Sequence, residues 1–143
     1  MNHDKYSDDY LREILEGMRA IAVVGASPRR GRPSHGVMAY LQRHGYRAIP
    51  VNPNAAGETI NGERCYAALA EVPGPIEMVD IFRRSEAAGD AVDQAIEVGA
   101  KIVWMQLGVR DNAAAGRAEA AGLKVVMNRC PAIEIPRLGL PPR

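Results

Sequence analysis

The stretch Ile21-Ala22-Val23-Val24-Gly25-Ala26-Ser27 decides the fold class, and a loop that contains three arginines leads from it to Ser34. A short apolar run of this kind is typical of a strand that is buried on both faces of a sheet. A helix that begins at Ser34 would offer free backbone N–H groups and the positive end of its dipole to a phosphate group. The stretch therefore predicts a strand, a loop and a helix that together bind a nucleotide.

Four further apolar runs follow, and stretches with helical periodicity lie between most of them. The predicted strands cover residues 20–26, 47–52, 76–82, 101–105 and 123–127, and the predicted helices cover residues 7–18, 34–44, 85–99 and 111–121. This alternation predicts an α/β fold, a three-layer doubly wound Rossmann-like domain with a five-stranded parallel sheet. With the strands counted along the chain, we expect the order 3-2-1-4-5, which opens a crevice between the first and fourth strands. The segments expected to line that crevice are residues 25–34, 52–53, 82–84, 106–110 and 128–130.

The length of 143 residues predicts a single domain, residues 1–143. The Asn61-Gly62 pair predicts a tight turn between two short strands. Pro50 lies inside the second strand, where a proline removes one hydrogen-bond donor from the ladder. Prolines recur from Pro131 onward, so we expect an irregular C-terminal tail at about residues 131–143.

The composition argues against several classes of partner. The chain carries 18 Lys and Arg against 17 Asp and Glu, and this net charge of +1 gives no support for a nucleic-acid-binding protein. No apolar run approaches the roughly 20 residues of a membrane span, and the polar N-terminus does not resemble a signal peptide. We therefore expect a cytoplasmic protein. The two cysteines and three histidines show no metal-ligand spacing, so no metal site and no disulfide framework are expected.

The loop after the first strand departs from the dinucleotide fingerprint G-x-G-x-x-G. Ser27 stands in place of the second glycine, and Asn52-Pro53 follows the second strand, where an NAD site needs an acidic residue. Both differences count against NAD. The arginines of the loop suit a ligand that carries several phosphates, because one guanidinium group can donate two parallel hydrogen bonds to the oxygens of a phosphate. Coenzyme A, with a pyrophosphate and a 3′-phosphate, meets this description, and NADP remains a competitor.

Several motifs, taken together and in this order, resemble a known family. They include residues 21–27, Pro50-Val51-Asn52-Pro53, Asp80-Ile81-Phe82-Arg83, Trp104-Met105-Gln106-Leu107-Gly108 and Val126-Met127-Asn128-Arg129-Cys130. Over about residues 15–135 the chain resembles the small single-domain CoA-binding proteins, which are similar to the N-terminal CoA-binding domain of the succinyl-CoA synthetase α-subunit. This resemblance implies a Rossmann-like fold with CoA across the carboxyl ends of the strands.

The resemblance also implies roles for individual residues. The phosphates would meet Gly25, Ala26 and Ser27, with Arg32 and Ser34 beside them. The adenosine or pantetheine part would be flanked by Val51, Asn52 and Pro53. The opposite wall would consist of Phe82, Arg83 and Gln106.

The function predicted from these residues is the binding of CoA or an acyl-CoA as a small-molecule ligand, without an evident catalytic constellation. The synthetase needs a phosphorylated histidine in a second domain, and His3, His35 and His44 all precede the second strand. The alternatives are an NADP-binding reductase-like enzyme, an acyl-CoA ligase subunit, or an interaction module without a ligand. The sequence leaves open whether the chain forms a homo-oligomer or has a protein partner. Cys130 is interpreted as a partly buried, inert thiol, with a mixed disulfide to CoA as the alternative.

Overall fold

The computed structural model describes all 143 residues as an α/β domain around a five-stranded parallel sheet. The strands are β1 (Ala20–Val24), β2 (Arg47–Val51), β3 (Thr59–Ile60), β4 (Glu63–Arg64), β5 (Met78–Ile81), β6 (Ile102–Met105) and β7 (Lys124–Val126). The helices are α1 (Asp8–Glu16), α2 (Pro33–Arg43), α3 (Ser85–Glu97), α4 (Asn112–Ala120) and α5 (Pro131–Arg137). The predicted fold class is confirmed. None of these helices has the length and apolar character that crossing a bilayer requires.

The order of the strands differs from the prediction. The sheet runs β2-β1-β5-β6-β7, which is 2-1-3-4-5 for the five main strands, so the predicted order 3-2-1-4-5 is wrong. Pro50 in β2 supplies the physical reason. The N–H of Arg47 donates to Arg19 on the β1 side and the N–H of Asn52 donates to Tyr66 on the outer side, so position 50 faces outward. A proline at this position is tolerated at a sheet edge, whereas in an interior strand it would remove a ladder bond.

Helices cover both faces of the sheet. The alanine-rich sides of α3 and α4 pack on one face, and α1, α2 and α5 pack on the other. Because β1 and β5 are buried on both faces, they carry apolar side chains at nearly every position. Trp104 is fully buried in β6, and its indole N–H donates to the carbonyl of Arg129 at 2.8 Å.

The N-terminal helix and the hairpin form close to where the sequence predicts them. Ser7 caps α1 by accepting the N–H of Tyr10 at 3.1 Å, and the helix ends at Glu16 rather than at residue 18. β3 and β4 pair in antiparallel fashion around Asn61 and Gly62, both of which have positive φ.

The C-terminal segment is not wholly irregular, so the predicted tail of residues 131–143 is corrected. Residues Pro131–Arg137 form α5. Pro131 occupies the first helical position, where no N–H is needed, and Ile135 is fully buried against the sheet. Beyond the helix, the N–H of Arg143 donates to the carbonyl of His44 at 2.7 Å. A proline pattern that predicts an irregular segment is therefore compatible with a short helix that buries an apolar side chain.

Candidate functional site

A crevice with a volume of about 950 Å³ lies at the carboxyl ends of β1, β5 and β6, beside the first residues of α2 and α3. The chain leaves β1 toward β2 on one side and β5 lies on the other side, so the connections diverge and leave a gap at this edge. The lining residues are Gly25, Ser27, Pro28, Arg29, Arg32, Pro33, Ser34, Asn52, Asn54, Ala55, Glu58, Phe82, Arg83, Arg84, Gln106, Leu107, Gly108 and Val109. Its volume is in the range of small-molecule and cofactor sites.

Most of the predicted binding residues meet in this crevice. The structure brings together Gly25, Ser27, Arg32, Ser34, Asn52, Phe82, Arg83 and Gln106. Three others lie outside its lining, namely Ala26, Val51 and Pro53. Arg110 and residues 128–130, which were also expected at the crevice, do not line it.

Gly25 allows β1 and β5 to meet at the floor of the crevice. Its φ is +88°, and a Cβ atom built there would lie 2.1 Å from the carbonyl oxygen of Phe82. The N–H of Gly25 donates to Val51 in β2 at 2.8 Å, and the N–H of Phe82 donates to Val24 in β1 at 2.8 Å. Only glycine combines this backbone conformation with this close approach.

The loop after β1 is folded back on the start of α2 by two serines. The backbone N–H of Ser27 donates to the hydroxyl oxygen of Ser34 at 3.0 Å, and the hydroxyl oxygen of Ser27 accepts the N–H of Arg29 at 3.1 Å. The N–H of Ser27 is thus already engaged within the protein. The hydroxyl proton of Ser34 is left to donate into the crevice, where α2 begins.

Positive charge dominates the lining of the crevice. Four arginines line it, Arg29, Arg32, Arg83 and Arg84, against the single carboxylate of Glu58. Arg30, the remaining arginine of the loop, does not line it. The Nε of Arg83 is buried and has no hydrogen-bond partner within the protein. Such a surface suits a ligand with more than one phosphate group.

A smaller cavity of about 220 Å³ accounts for two of the residues outside the main crevice. Val51 and Pro53 line it together with small side chains of the segment before β5 and of α3. Arg83 lines both cavities. The carboxyl end of β2 therefore faces a separate space, whose lining also includes the polar side chains of Asp90 and Gln94.

The segment after β2 contributes residues that sequence reasoning missed. Asn54, Ala55 and Glu58 line the crevice because the chain turns back after β2 through a short 3-10 helix, Pro53–Ala55. The side chain of Asn52 shapes this turn, since it accepts the N–H of Asn54 at 3.0 Å and donates to the carbonyl of Ala26 at 2.8 Å. The Asn-Pro pair is a turn signal that could have revealed this geometry.

Two buried titratable groups lie behind the crevice without lining it. Asp80 in β5 is fully buried, neither carboxylate oxygen has a hydrogen-bond partner, and burial raises its pKa well above its ordinary value. Burial also raises the pKa of the Cys130 thiol, against a smaller opposing effect of the Gln106 side chain. A buried thiol with a raised pKa is a weak nucleophile.

No group of three or more His, Cys, Asp and Glu side chains is arranged to hold a metal ion.

Comparisons with known proteins agree with this architecture. A family described as a CoA binding domain matches residues 19–136. The protein YneT of Bacillus subtilis (strain 168) is 37% identical over 120 residues, which cover 84% of this chain and 87% of YneT. A solved structure of a hypothetical protein from Pyrococcus horikoshii OT3 is 40% identical, with a TM-score of 0.90 and coverage of 96% of both chains.

A more distant similarity concerns a larger protein. The alpha subunit of ADP-forming acetate–CoA ligase I from Pyrococcus furiosus is 27% identical over 95 residues, which cover 64% of this chain. The same residues span only 21% of that subunit.

Proposed function

This chain belongs to the CoA binding domain family, and we propose that it binds coenzyme A or an acyl-CoA in the crevice at the carboxyl edge of its sheet. The observation that carries the proposal is the set of four arginines around a cavity large enough for a nucleotide cofactor. CoA carries a pyrophosphate and a separate 3′-phosphate. Four guanidinium groups and one carboxylate match that charge better than they match a neutral ligand.

The phosphates would lie between the loop after β1 and the start of α2. The Ser34 hydroxyl and the guanidinium of Arg32 would donate to phosphate oxygens, with the dipole of α2 adding positive potential. Gly25 and Ala26 would act through the backbone, because Gly25 lets the loop approach the ligand closely and Ala26 is buried behind it. Ser27 would act chiefly through its hydroxyl, since its N–H already donates to Ser34.

The remaining parts of the ligand would contact the other two walls. Val51 and Pro53 line the smaller cavity, where their aliphatic side chains would pack against the adenosine or pantetheine part, and Asn52 lines the main crevice beside them. Phe82, Arg83 and Gln106 would line the wall opposite the phosphate loop. The unpartnered Nε of Arg83 is a donor that an anionic ligand would satisfy.

The proposed role is binding rather than catalysis by this chain alone. The crevice combines arginines, amides and hydroxyls, and its single carboxylate, Glu58, has no acidic or histidine partner in the lining. A CoA-dependent carrier, sensor or regulatory module is consistent with this, and so is a role beside a partner that supplies the catalytic groups. NADP is the competing ligand because it carries a comparable number of phosphates.

A thermal-shift titration with CoA, dephospho-CoA, NAD and NADP tests the proposal. A ligand that binds only the folded state at a hundredfold excess over Kd adds about 2.7 kcal/mol, or on the order of 5–10 °C in Tm. We expect a shift with CoA, a smaller one with dephospho-CoA and none with NAD. A rise in Tm with NADP alone would favour a reductase. No change in Tm with any of the four ligands would favour an interaction module.

Arg32→Ala localises the effect to the crevice. Loss of one charge-assisted hydrogen bond should weaken CoA binding about tenfold, corresponding to roughly 1.5 kcal/mol, as measured by isothermal titration calorimetry. Arg30→Ala is the matched control, because Arg30 is an exposed arginine of the same loop that does not line the crevice. Equal losses in both variants would contradict the proposed position of the phosphates.

A further inference from the structure

One wall of the crevice is a short segment that its own backbone holds only weakly. Residues 106–110, the wall segment, follow β6, and Gln106 to Val109 line the crevice. Leu107 at its tip is 54% exposed, and Gly108 has a φ of +81° with no atom within 4 Å of the place where a Cβ would lie. Its two hydrogen bonds to the main chain are Gln106 N–H to Ile81 at 3.2 Å and Val109 N–H to Gln106 at 2.9 Å. Side chains from elsewhere must therefore hold the tip.

Asn128 holds the tip from the side of β7. Its side-chain oxygen accepts the N–H of Gly108 at 2.7 Å. Its backbone adopts a left-handed conformation with a φ of +58°, which asparagine tolerates better than most residues. The residues on either side of Asn128 are fixed as well, because the Met127 N–H donates to the Tyr6 hydroxyl at 2.8 Å and the Arg129 carbonyl accepts from Trp104 at 2.8 Å. Asn128 thus presents its amide to the wall segment from a rigid base.

Ser85 holds the same segment from the side of α3. Its hydroxyl oxygen accepts the N–H of Arg110 at 3.0 Å, and its O–H group donates to the carbonyl of Gly108 at 3.3 Å. The N-cap position of α3 is taken by Arg84, and Ser85 is the first residue of the helix, so its hydroxyl is free to bond to the wall segment. Both polar backbone groups of Gly108 are therefore bound by side chains that do not line the crevice.

We propose that Asn128 and Ser85 are positioning residues, which hold the wall segment in the conformation that binds the ligand. This inference rests on the proposed function. Without these bonds, a segment with an exposed tip and a glycine in a left-handed conformation would sample other conformations, and only the competent fraction would bind. The two side chains thus set the affinity of a site that they do not touch.

Asn128→Gly tests the inference, because glycine keeps the left-handed conformation and removes only the side-chain bond. We expect the Kd for CoA to rise about fivefold to tenfold, with a Tm within a few degrees of wild type. Asn128→Asp retains the acceptor oxygen and should bind within about twofold of wild type. Ser85→Ala should weaken binding by a similar factor to Asn128→Gly.

Asn61→Gly is the matched control. Asn61 also has a positive φ, +50°, and its side chain also makes a single backbone hydrogen bond, to His35 at 3.1 Å. It lies in the hairpin turn and does not line the crevice. Its Kd for CoA should equal that of wild type.

Amide hydrogen exchange gives a readout that needs no ligand. The Gly108 amide should exchange about tenfold faster in Asn128→Gly than in wild type, because its acceptor is gone. If wild type fails to bind CoA, the proposed function is wrong, and the exchange rates still decide whether Asn128 holds the segment. If wild type binds CoA and Asn128→Gly binds it equally well, the inference is overturned whatever the exchange rate. A loss of affinity accompanied by a matching collapse in Tm would also overturn it, since the role would then be structural.

Discussion

At the scale of single residues, the floor of the crevice depends on the absence of a Cβ atom at Gly25. The Cβ of an alanine at this position would lie 2.1 Å from the Phe82 carbonyl oxygen, and the alanine backbone would have to adopt a φ of +88°. Strain in the left-handed region and overpacking together should cost about 2–5 kcal/mol of unfolding free energy in Gly25→Ala. Urea denaturation measures this cost.

Gly99→Ala is the control for that experiment. Gly99 has a similar φ of +77°, but nothing lies within 4 Å of its added Cβ. Its cost should stay near the conformational strain alone, about 1–2 kcal/mol. If both variants lose the same stability, the close approach of β1 to β5 is not what requires glycine at position 25.

Asp80 predicts a pH dependence of stability. Its pKa in the folded protein is raised well above the ordinary value of 3.8 by burial, so the folded state holds this proton more tightly than the unfolded chain. The stability that this difference contributes is fully present below about pH 3.8 and is lost as the pH rises through the folded-state pKa. Asp80→Asn removes the charge, so it should be more stable than wild type at pH 8 and approach wild type as the pH falls toward 4.

Glu77→Gln should change stability at pH 8 in the opposite direction, because the pKa of Glu77 is lowered rather than raised in the folded protein. The N–H groups of Ala20 and Arg19 donate to the Glu77 carboxylate and hold its pKa below its ordinary value of 4.5. That contribution is present above pH 4.5 and is lost as the pH falls through the folded-state pKa, so Glu77→Gln should be less stable than wild type at pH 8. Chemical denaturation between pH 4 and 8 measures both variants. Parallel curves for wild type and Asp80→Asn would contradict the assignment for Asp80.

At the scale of elements, the two edges of the sheet are closed by different means. On β2, Pro50 removes an outward donor and Tyr66 pairs with Val51. On β7, the hydroxyl of Tyr10 accepts the N–H of Val125 at 3.1 Å and donates to its carbonyl at 2.9 Å, so one side chain takes the place of a neighbouring strand. Burial raises the pKa of Tyr10 to about 12, which keeps the hydroxyl proton in place for this donation.

Tyr10→Phe should therefore destabilise the protein without changing its packing. It leaves the N–H and the carbonyl of buried Val125 without partners, at a cost of about 1–3 kcal/mol in unfolding free energy. Tyr40→Phe is the control, because Tyr40 is also half-buried and its hydroxyl makes no hydrogen bond within the protein. Thermal denaturation of the two variants should separate them by several degrees. Equal Tm values would mean that water replaces the Tyr10 hydroxyl at no cost.

At the scale of the whole molecule, the crevice is a product of chain topology. Segments that follow β1, β2, β5 and β6 meet there although they are far apart in sequence, and the starts of α2 and α3 add serine and arginine side chains. The order β2-β1-β5 places the end of β1 beside the end of β5, so the loop after β1 and the segment with Phe82 and Arg83 leave the sheet at the same edge. The match to the CoA binding domain family, residues 19–136, includes all of these segments.

Much of this architecture could be predicted, because parallel strands read as continuous apolar runs and turns have their own residue preferences. The Gly-Ala-Ser loop, the hairpin at Asn61 and the cap at Ser7 all follow from local rules. The strand order could not be read in the same way, since both orders satisfy the same pattern of apolar runs. Pro50 argues for β2 at the edge of the sheet, because it lacks a backbone N–H. The sequence alone does not show whether position 50 faces β1 or the outer side of β2. The cytoplasmic location stays a prediction.

By itself, the sequence determined the fold class, the five main strands and most of the residues that meet in the crevice, because these depend on local patterning and on the rule that parallel strands end at one edge. Only the tertiary structure decided the strand order, the helix at Pro131 and the bonds of Asn128 and Ser85 to Gly108. Those features depend on which distant groups come within hydrogen-bonding or packing distance. These groups come close to one another only in the folded chain, in which helices pack on both faces of the sheet and form an apolar core on each face.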